Sequence, residues 1–355
     1  MHVIILAGGK GMRLWPASTE EKPKFFIKLN SQKSLLQNTF ERVTKIGLVT
    51  NIITVTNKNY LHQIKSQYSE IKTNIDLSYI IEPSGKDTTA VILSSVLYIH
   101  KHYGPNQMVL IVPTDHIIEN PNIFQNALKK AKILAESEKI VTFGITPTHA
   151  EENYGYIEYS KNKVINFKEK PTREIAKKYL ELGNFLWNSG ILCSLADTLI
   201  EEMKINCPEI FNIIEKTLHL SKYIDHKNIQ EVYLDKNIWH DVPSISIDYA
   251  LLEKTKKIAV VPCEINWRDI GNWNSISKLT STDINGNNIQ GNAMAFKASD
   301  CYIQSNGRMI AVIGVKNLAI IETENGLLIV NKKNVADVRE VFSMMKEKET
   351  LAKIS

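Results

Sequence analysis

A glycine-rich stretch near the start of the chain carries basic residues at a spacing suited to an anion. Residues 6–26 read LAGGKGMRLWPASTEEKPKFF, with Arg13 and Lys24 after the glycines. The apolar run before them predicts a β-strand, so the glycines fall where a strand turns toward a helix. Unshielded backbone amides can approach a phosphate at such a turn, and the two cations can neutralise it. A tight turn with solvated basic side chains is the alternative for this stretch alone.

Two common phosphate-binding loops do not fit this stretch. A Walker loop ends in a lysine that is followed by Ser or Thr, whereas Lys10 is followed by Gly11. A dinucleotide-binding loop needs a third glycine, and Leu14 occupies that position. The stretch therefore predicts a phosphate-binding turn of another kind.

Two aspartates lie in motifs that suit a hard cation. Asp115 directly follows an apolar strand in PTDH, and Asp269 lies between two tryptophans in WRDIGNW. Each alone has an ordinary alternative, such as a helix N-cap or a loop carboxylate. Mg²⁺ typically takes one or two carboxylates and completes its shell with phosphate oxygens and water. The two aspartates are therefore predicted to share a cleft and to hold Mg²⁺.

Three further motifs combine the residue types of a sugar-phosphate pocket. In FKEKP, Glu169 can accept bonds from two sugar hydroxyls and Lys170 can neutralise a phosphate. These neighbours must point in different directions if the segment is extended. Gly155 in NYGYIE permits close approach of a ligand, and Asn188 in WNSGI offers a donor and an acceptor. An exposed salt-bridged turn and ordinary strand residues are the alternatives for each motif in isolation.

Apolar runs alternate with helix-like segments through the first two thirds of the chain. Strand-like runs include NIITVTN, LSYIIEP, MVLIVPTDH and KIVTFGI, and helical patterns lie between them. This alternation predicts the α/β class, with a Rossmann-like, mixed and mostly parallel sheet that has helices on both faces. Ligands of such sheets bind outside the carboxyl ends of the strands. The glycine-rich stretch, EPSGKDTT and PTDH all follow such ends, so they are predicted to converge on one crevice.

The sequence pattern changes near Asp283. From there short β-type runs are separated by Gly, Asn, Ser and Asp without a clean hexapeptide repeat, and a final helix follows. The chain is therefore predicted to divide into a catalytic domain at 1–280 and a small β-rich domain at 281–355. The final helix has an apolar stripe, which favours a core position over a dimer contact. The stripe comprises Val335, Val338, Phe342 and Met345.

Composition excludes several classes of protein. Of the 355 residues, 43% are hydrophobic and 23% are charged, as in a globular protein with an extensive core. The net charge of +5 comes from dispersed Lys and Arg, which does not predict a nucleic-acid surface. The four cysteines form no C-x-x-C pair, which argues against a zinc site and disulfides and favours a cytoplasmic location. The N-terminal apolar run is too short for a signal peptide, and no window has the length of a membrane span.

Taken in order, these motifs resemble those of the sugar-1-phosphate nucleotidylyltransferases. The stretch LAGGKGMRLWPAS…KPKFF is similar to their nucleotide-binding motif, and its Trp15-Pro16 pair is similar to the form in the mannose-1-phosphate guanylyltransferase branch. The match continues through EPSGKDTTAVI, PTDHII, YGYIE, FKEKP, WNSGI, SIDYALLEKT and WRDIGNW, and it covers most of the chain. The C-terminal runs resemble the family's short, left-handed β-helix-like domain. Phe25 and Thr114 depart from the usual glutamine and alanine.

The resemblance implies transfer of GMP from GTP to α-D-mannose 1-phosphate, with release of pyrophosphate and with Mg²⁺ as cofactor. It implies catalytic roles for four residues: Arg13 and Lys24, which hold the triphosphate, and Asp115 and Asp269, which hold the metal. The residues that correspond to the family's nucleotide contacts are Leu6, Ala7, Gly8, Gly9, Gly11, Glu82, Lys86 and Thr88. Those that correspond to its sugar-phosphate contacts are Gly155, Glu169, Lys170 and Asn188.

Several alternatives stay open at this stage. Another sugar 1-phosphate, such as a heptose or glucose 1-phosphate, or another nucleotide would use the same motifs. A non-catalytic regulator that senses nucleotide sugars is the rival of a different class, although such a protein could lose Arg13, Lys24 or an aspartate. A helix alone follows the C-terminal β runs, so a monofunctional enzyme without the isomerase domain of bifunctional relatives is expected. These runs and their helix would suit the contact of a homodimer.

Overall fold

The computed structural model of the chain describes residues 1–29, 32–226 and 229–354. These residues form two compact units, each assembled from separate stretches of the chain. The sheet unit comprises Met1–Gly8, Gln37–Thr114 and Ile118–Trp267, and the coil unit comprises Gly9–Leu36, Asp115–Ile117 and Arg268–Ser355. The division of the chain at residue 280 stays a prediction, because compactness groups segments in space and not along the chain.

Strands and helices alternate along most of the chain. The strands are β1 (His2–Ala7), β2 (Asn51–Asn57), β3 (Asp76–Glu82), β4 (Met108–Pro113), β5 (His116–Ile118), β6 (Ile140–Ile145), β7 (Tyr156–Ser160), β8 (Lys163–Lys168), β9 (Phe185–Leu195), β10 (Lys222–His226), β11 (Ile229–Tyr233), β12 (Ile258–Pro262), β13 (Trp267–Asp269), β14 (Asn288–Gln290), β15 (Ala293–Phe296), β16 (Tyr302–Ser305), β17 (Ile310–Ile313), β18 (Leu318–Thr323) and β19 (Gly326–Asn331). The α-helices are α1 (Leu35–Thr44), α2 (Lys58–Ser69), α3 (Asp87–Tyr103), α4 (Pro121–Glu136), α5 (Arg173–Leu182), α6 (Ala196–Asn206), α7 (Pro208–Leu220), α8 (Lys236–Trp239), α9 (Trp273–Ser277) and α10 (Val338–Ile354). There are also 3₁₀ helices at Met12–Leu14, Lys24–Phe26 and Lys332–Asp337, and a π-helix at Asp248–Leu252.

The sheet unit contains an eleven-stranded sheet in the order β10-β11-β3-β2-β1-β4-β9-β6-β12-β8-β7. Strands β11, β3, β2, β1 and β4 run parallel to one another, as do β6 and β12. In contrast, β9 pairs antiparallel with β4, β6 and β7, and β8 and β10 also run against their neighbours. Most strands therefore share one direction, which confirms the predicted α/β class and the mixed, mostly parallel sheet.

Strands β1, β2 and β6 are buried along nearly their whole length. A strand buried on both faces needs cover on each side of the sheet, and it then reads as a continuous apolar run. Helices supply part of that cover, since Val96 of α3, Leu199 of α6 and Ile214 of α7 belong to one large apolar cluster with strand residues. This burial explains why continuous runs predict the central strands well: NIITVTN coincides with β2.

The C-terminal part of the coil unit winds into a β-helix-like coil, as predicted. Strands β14, β16 and β18 stack in parallel, and so do β15 and β17. Asn288 pairs with Tyr302, whereas Tyr302 pairs with Ala319, so successive turns differ in length. Turns of unequal length cannot follow a strict hexapeptide pattern, which explains why the sequence lacks one. The handedness of the coil stays a prediction.

The core of the coil unit combines segments from distant parts of the chain. We call the strands from β14 to β19, residues 288–331, the β-coil. Leu14, Ile27 and Leu35 of the N-terminal segment pack in one apolar cluster with Ile321 and Leu328 of the β-coil. Because all five side chains are buried together, the loop after β1 has its apolar support in the coil unit.

The apolar stripe of the final helix divides between core and surface. Val335 and Val338 are buried in the same cluster of the coil unit, whereas Met345 is exposed. The prediction of a core position is therefore confirmed for the start of the stripe and is wrong for Met345.

The cysteines are buried thiols. Cys193, Cys207, Cys263 and Cys301 are all free and buried. Burial raises the pKa of the Cys193 and Cys263 thiols to about 12, so both stay protonated at neutral pH. Within the described ranges, no helix combines the length and the apolar character needed to cross a membrane.

Candidate active site

The glycine turn after β1 begins in the sheet unit. The Leu6 carbonyl accepts a hydrogen bond from Thr114 Oγ1 at 2.9 Å, which gives the unusual threonine a structural role. A Cβ atom at Gly8 would lie 2.3 Å from Oε1 of Glu82, so glycine leaves room for this carboxylate. Leu6, Ala7, Gly8 and Glu82, all predicted nucleotide contacts, therefore lie together where β1 and β3 end.

Glu82 is a buried carboxylate with spare capacity to accept hydrogen bonds. Its Oε2 has no hydrogen-bond partner among the residues that the structure describes. Burial, with a smaller contribution from Asp87, raises the pKa of Glu82 to about 7 against the opposing backbone N–H of Lys86. A buried polar atom without a partner is costly. Glu82 can therefore gain stabilisation from a ligand that brings N–H donors.

The other two predicted nucleotide contacts of the sheet unit flank the start of α3. Lys86 Nζ donates to the His240 carbonyl at 2.8 Å, and Thr88 Oγ1 accepts from the Ile247 N–H at 2.8 Å. Both side chains thus brace the start of α3 against the loop at 240–247. A nucleotide contact by either residue stays a prediction.

The rest of the glycine turn belongs to the coil unit. Gly11 has a left-handed φ of 64° and precedes the 3₁₀ helix Met12–Leu14. A Cβ atom at Gly11 would lie 2.2 Å from Cβ of Lys24, so both the conformation and the close contact require glycine. Gly9 and Arg13 are exposed, and Arg13 makes no ion pair with any residue in the described part of the chain. The exposed guanidinium can therefore meet an anionic ligand.

Lys24 lies between two carboxylates of the coil unit. Its Nζ donates to Asp115 Oδ2 at 2.7 Å and lies 3.5 Å from Asp269 Oδ1. The Lys24 side chain is 9% exposed, whereas those of Asp115 and Asp269 are 34% and 26% exposed. The Ile270 N–H donates to the Asp115 carbonyl at 3.1 Å, which joins the two segments that carry the aspartates. The cation is therefore buried, while its carboxylates stay accessible to a ligand.

The charges of this cluster stabilise one another. Burial alone would lower the pKa of Lys24, but Asp115 and Asp269 raise it above its ordinary value. Burial alone would also raise the pKa of Asp115, but Lys24 and then His116 lower it to about 2. A buried ammonium is tolerated because opposite charges and hydrogen bonds accompany it. Asp115 consequently stays ionised and able to bind a cation at neutral pH.

These carboxylates suit a divalent cation. Ligand atoms of Asp115, His116 and Asp269 all lie within 4.8 Å of one another. The position of the Lys24 ammonium between the aspartates indicates that the place favours positive charge. Carboxylate oxygens are ligands that Mg²⁺ prefers, and an imidazole suits softer divalent metals better. Sequence reasoning missed His116, whose one signal was its position next to Asp115 in PTDH.

The four predicted sugar-phosphate residues lie together in the sheet unit. A Cβ atom at Gly155 would lie 2.4 Å from Glu169 Oε2, and the Asn188 N–H donates to the Gly155 carbonyl at 2.8 Å. Lys170 Nζ donates to Glu169 Oε1 at 2.6 Å. The Glu169 side chain is 6% exposed, whereas that of Lys170 is 48% exposed. Here the carboxylate is buried and the cation stays accessible.

Glu169 and Lys170 do not meet the condition under which they would point in different directions, because their segment is not extended. Strand β8 ends at Lys168, and Lys170 has a left-handed φ of 45°, so the chain is not extended there. This turn brings the ammonium back to the neighbouring carboxylate. Burial alone would lower the pKa of Lys170, but the bond to Glu169 raises it. A left-handed backbone costs a non-glycine residue about 1–2 kcal/mol, which the ion pair helps to offset.

Two further acidic residues belong to this cluster. Asp248 begins the π-helix and accepts from Asn188 Nδ2 at 3.0 Å. Burial and Glu169 raise the pKa of Asp248 to about 7, and Lys170 opposes that shift. Glu253 Oε1 accepts from the Glu169 N–H at 3.0 Å. Both residues lie in SIDYALLEKT, but no spacing rule in that motif assigns them to the neighbourhood of Glu169.

Protein groups already satisfy much of the Asn188 amide. Its Oδ1 accepts from Thr142 Oγ1 at 2.7 Å and from the Gly190 N–H at 3.1 Å. One Nδ2 hydrogen goes to Asp248, which leaves the other for a ligand. The amide is therefore held in one orientation and can act toward a sugar hydroxyl chiefly as a donor.

Phe25, the residue that replaces the usual glutamine, is part of the interior. It is buried, and its ring centroid lies 4.5 Å from that of Phe26. The aromatic ring therefore fills space in the coil unit and is not presented to a ligand. The convergence of the strand-end motifs on one crevice stays a prediction.

Comparison with known families accounts for nearly the whole chain. Residues 2–286 match the model of the nucleotidyl transferase family. Residues 291–345 match the model of the MannoseP isomerase/GMP-like beta-helix domain. The second match covers most of the β-coil and the start of α10.

Individual relatives agree with these matches. Mannose-1-phosphate guanylyltransferase 2 of Escherichia coli O157:H7 is 33% identical over 366 aligned residues, which cover 99% of this chain and 75% of the relative. Alginate biosynthesis protein AlgA of Pseudomonas fluorescens is 32% identical, with 98% and 72% covered. A crystal structure from Thermus thermophilus, described as a mannose-1-phosphate geranyltransferase, superposes with a TM-score of 0.83 at 27% identity. That superposition covers 97% of this chain and 99% of the other.

Proposed function

The chain belongs to the nucleotidyl transferase family, and we propose that it transfers GMP from GTP to α-D-mannose 1-phosphate, which yields GDP-mannose and pyrophosphate. The proposal rests chiefly on the cluster in which buried Lys24 is flanked by the accessible carboxylates of Asp115 and Asp269. Relatives with mannose-1-phosphate guanylyltransferase in their names support the choice of substrates.

The reaction joins two anions. A phosphate oxygen of the sugar phosphate attacks the α-phosphorus of GTP, and the bond from that phosphorus to the pyrophosphate oxygen breaks. The attacking oxygen is already ionised, so no residue has to remove a proton from it. Catalysis therefore consists mainly of positioning and charge neutralisation. The exposed guanidinium of Arg13 and the backbone of the glycine turn would bind the triphosphate.

Asp115 and Asp269 would hold Mg²⁺. The bound ion would supply positive charge to the phosphate oxygens during transfer. Lys24 keeps the two carboxylates close together in the free protein, because its ammonium compensates their repulsion. Asp115, with its pKa of about 2, needs no deprotonation before it can bind the metal at neutral pH.

Glu82 would select the base. Guanine presents neighbouring N1–H and N2–H donors, whereas adenine presents an acceptor at N1. The unpartnered Oε2 of Glu82 can accept from one of these donors when the carboxylate is ionised. Since its pKa is about 7, binding of GTP would favour loss of the Glu82 proton.

The cluster around Glu169 would bind the sugar phosphate. Buried Glu169 would accept hydrogen bonds from sugar hydroxyls, and the accessible Lys170 ammonium would neutralise the phosphate. Asp248 orients Asn188 through the bond between its Oδ1 and Asn188 Nδ2. A rigid, hydrogen-bonded frame of this kind distinguishes sugars by the geometry of their hydroxyl groups.

A matrix of substrates tests the proposal. The purified chain is incubated with each of the four nucleoside triphosphates and with mannose, glucose and heptose 1-phosphates, and pyrophosphate release is measured with Mg²⁺ and with EDTA. We expect the highest kcat/KM for GTP with mannose 1-phosphate, and no turnover in EDTA. A different preferred pair would reassign the substrate, and no release with any pair would refute the transferase activity.

A homodimer and a cytoplasmic location stay predictions. Light scattering of the full chain over a range of concentrations tests the first: a molar mass twice the calculated 40.3 kDa supports a dimer. A molar mass equal to that of one chain at all concentrations would exclude it.

A further inference from the structure

The turn between β18 and β19 contacts the loop that carries Arg13. Thr323 Oγ1 donates to the Pro16 carbonyl at 3.3 Å, and Asn325 Nδ2 donates to the same oxygen at 3.3 Å. Both donors and their acceptor belong to the coil unit. The loop therefore has direct polar contacts with the β-coil at the residue that follows Trp15.

The same turn accommodates the Trp15 ring. A Cβ atom at Gly326 would lie 2.9 Å from Cζ2 and 3.2 Å from Cη2 of Trp15. Gly326 has a φ of 152°, a backbone conformation that residues with a side chain rarely adopt. Both the conformation and the close contact with Trp15 therefore favour glycine at this position. Trp273 of α9 donates a hydrogen bond from Nε1 to the Trp15 carbonyl at 3.0 Å, which restrains the backbone of Trp15. Trp15 is thus held through both its ring and its backbone.

Apolar packing fixes the residue between these contacts and Arg13. Leu14 is fully buried in the cluster that contains Ile321 and Leu328 of β18 and β19. Arg13 immediately precedes Leu14 and belongs to the same 3₁₀ helix. An exposed side chain on a short turn has few contacts of its own, so its backbone is placed by these neighbours.

We propose that the turn at 323–326 is a positioning element for the nucleotide-binding loop, and that Thr323 and Gly326 act through Trp15 and Pro16 to place Arg13 for the triphosphate. The consequence for nucleotide binding rests on the proposed function. The positioning itself concerns contacts within the coil unit and can be measured without turnover.

Thr323→Val tests the hydrogen bond from Thr323 to the Pro16 carbonyl, because valine has nearly the same shape as threonine but lacks the hydroxyl. The hydroxyl donor to Pro16 is lost, so we expect hydrogen exchange of the backbone amides at 14–18, apart from Pro16, which has none, to accelerate about tenfold, with exchange in the sheet unit unchanged. In steady-state kinetics, KM for GTP should rise about fivefold, while KM for mannose 1-phosphate stays the same. Thr323→Ser keeps the hydroxyl and should restore wild-type values in both measurements.

Gly326→Ala provides a second, steric test. The added methyl group would press on the Trp15 ring, so the same pattern should appear with a larger rise in KM for GTP. Gly307→Ala is the matched control, because Gly307 lies in the same unit and a Cβ there would have no neighbour within 4 Å. Gly307→Ala should leave exchange at 14–18 and both KM values unchanged.

The outcomes separate this inference from the proposed function. Unchanged exchange at 14–18 in Thr323→Val would overturn the positioning role, as would an equal rise of KM for both substrates. A lower melting temperature with normal kinetics and normal exchange at 14–18 would reduce the turn to a structural role and also overturn it. If wild-type protein releases no pyrophosphate, the proposed function fails, while the exchange experiment still decides the positioning role.

Discussion

Both units contain a lysine that is paired with acidic side chains, but the buried member of the pair has the opposite charge in each unit. In the coil unit, Lys24 is buried and its partners Asp115 and Asp269 are accessible. In the sheet unit, Glu169 is buried and its partner Lys170 is accessible. The charge that remains accessible decides the ligand: two carboxylates attract a cation, and an ammonium attracts a phosphate. We therefore expect the burial of one member, more than the composition of the ion pair, to decide which ligand each cluster meets.

Asp269→Asn would break the arrangement of the coil unit and should have the largest effect. The amide keeps the shape but loses a negative charge at the proposed metal site, so we expect kcat to fall about 10²–10³-fold, as for loss of one charge-stabilising group. Steady-state pyrophosphate release measures it. Asp337→Asn, at an exposed carboxylate of the same unit, is the control. Wild-type kcat in Asp269→Asn would remove Asp269 from the metal site.

Lys170→Met would break the arrangement of the sheet unit. Loss of a charged hydrogen bond to a phosphate is worth roughly 1.5–3 kcal/mol, so kcat/KM for mannose 1-phosphate should fall about 10–100-fold. KM for GTP should change little. Lys177→Met, which removes an exposed cation on α5 of the same unit, is the control. Equal losses for both substrates would contradict the assignment of Lys170 to the sugar phosphate.

Lys24→Met tests the arrangement of the coil unit through metal binding and not through turnover. The Lys24 ammonium competes with a metal for Asp115 and Asp269, so its removal should raise the affinity of the nucleotide-free protein for Mn²⁺ about tenfold. Electron paramagnetic resonance of free Mn²⁺ measures it. The variant should also be less stable without metal, since the two neighbouring carboxylates lose the ammonium that compensates their repulsion. Lys10→Met, at an exposed ion pair with Glu20, should bind Mn²⁺ as the wild type does. Weaker binding by folded Lys24→Met would show that the lysine does not compete with the metal.

Asp248→Asn should have the smallest effect, which appears as a pH-dependent stability. Burial and Glu169 raise the pKa of Asp248 from 3.8 to about 7, so the folded protein retains a proton that the unfolded chain releases in this window. Wild-type stability therefore falls as pH rises from about 4 to 7. The amide cannot ionise, so the melting temperature of the variant minus that of the wild type should increase across this range.

In a chain of 355 residues, a change of about 1 kcal/mol in the free energy of unfolding would shift the melting temperature by roughly 1–2 °C. Glu82 also has a raised pKa, but it is present in both proteins and cancels from the difference. A difference in melting temperature that stays constant from pH 4 to pH 8 would contradict the titration of Asp248.

Sequence pattern predicted the sheet well because its central strands are buried on both faces. The run NIITVTN needed no information from the rest of the chain to be recognised as β2. In contrast, the turn at Lys170 depends on a single left-handed φ. Lysine rarely adopts this conformation, so the residue type does not predict the turn. The prediction that Glu169 and Lys170 point apart held only for an extended segment, and the sequence alone did not show that the segment turns at Lys170.

The candidate site was predictable in its residue types and not in its burial. Lys24, Asp115 and Asp269 were all expected, but their spacing gave no sign that the lysine would be buried and the aspartates accessible. Asp248 was missed because its relation to Asn188 depends on tertiary packing of the π-helix against β9. Local motifs identify candidate groups, whereas the packing around them decides which charge a ligand meets.

The hydrogen bond between Thr323 and Pro16 joins residues 307 positions apart in the chain. A ribosome synthesises the loop after β1 early and the turn after β18 near the end, and chains begin to fold while they are being made. During most of translation the loop therefore lacks the surface on which Leu14, Trp15 and Pro16 come to rest. The loop proposed to bind the nucleotide consequently gains its support only after the sheet unit has been synthesised in full.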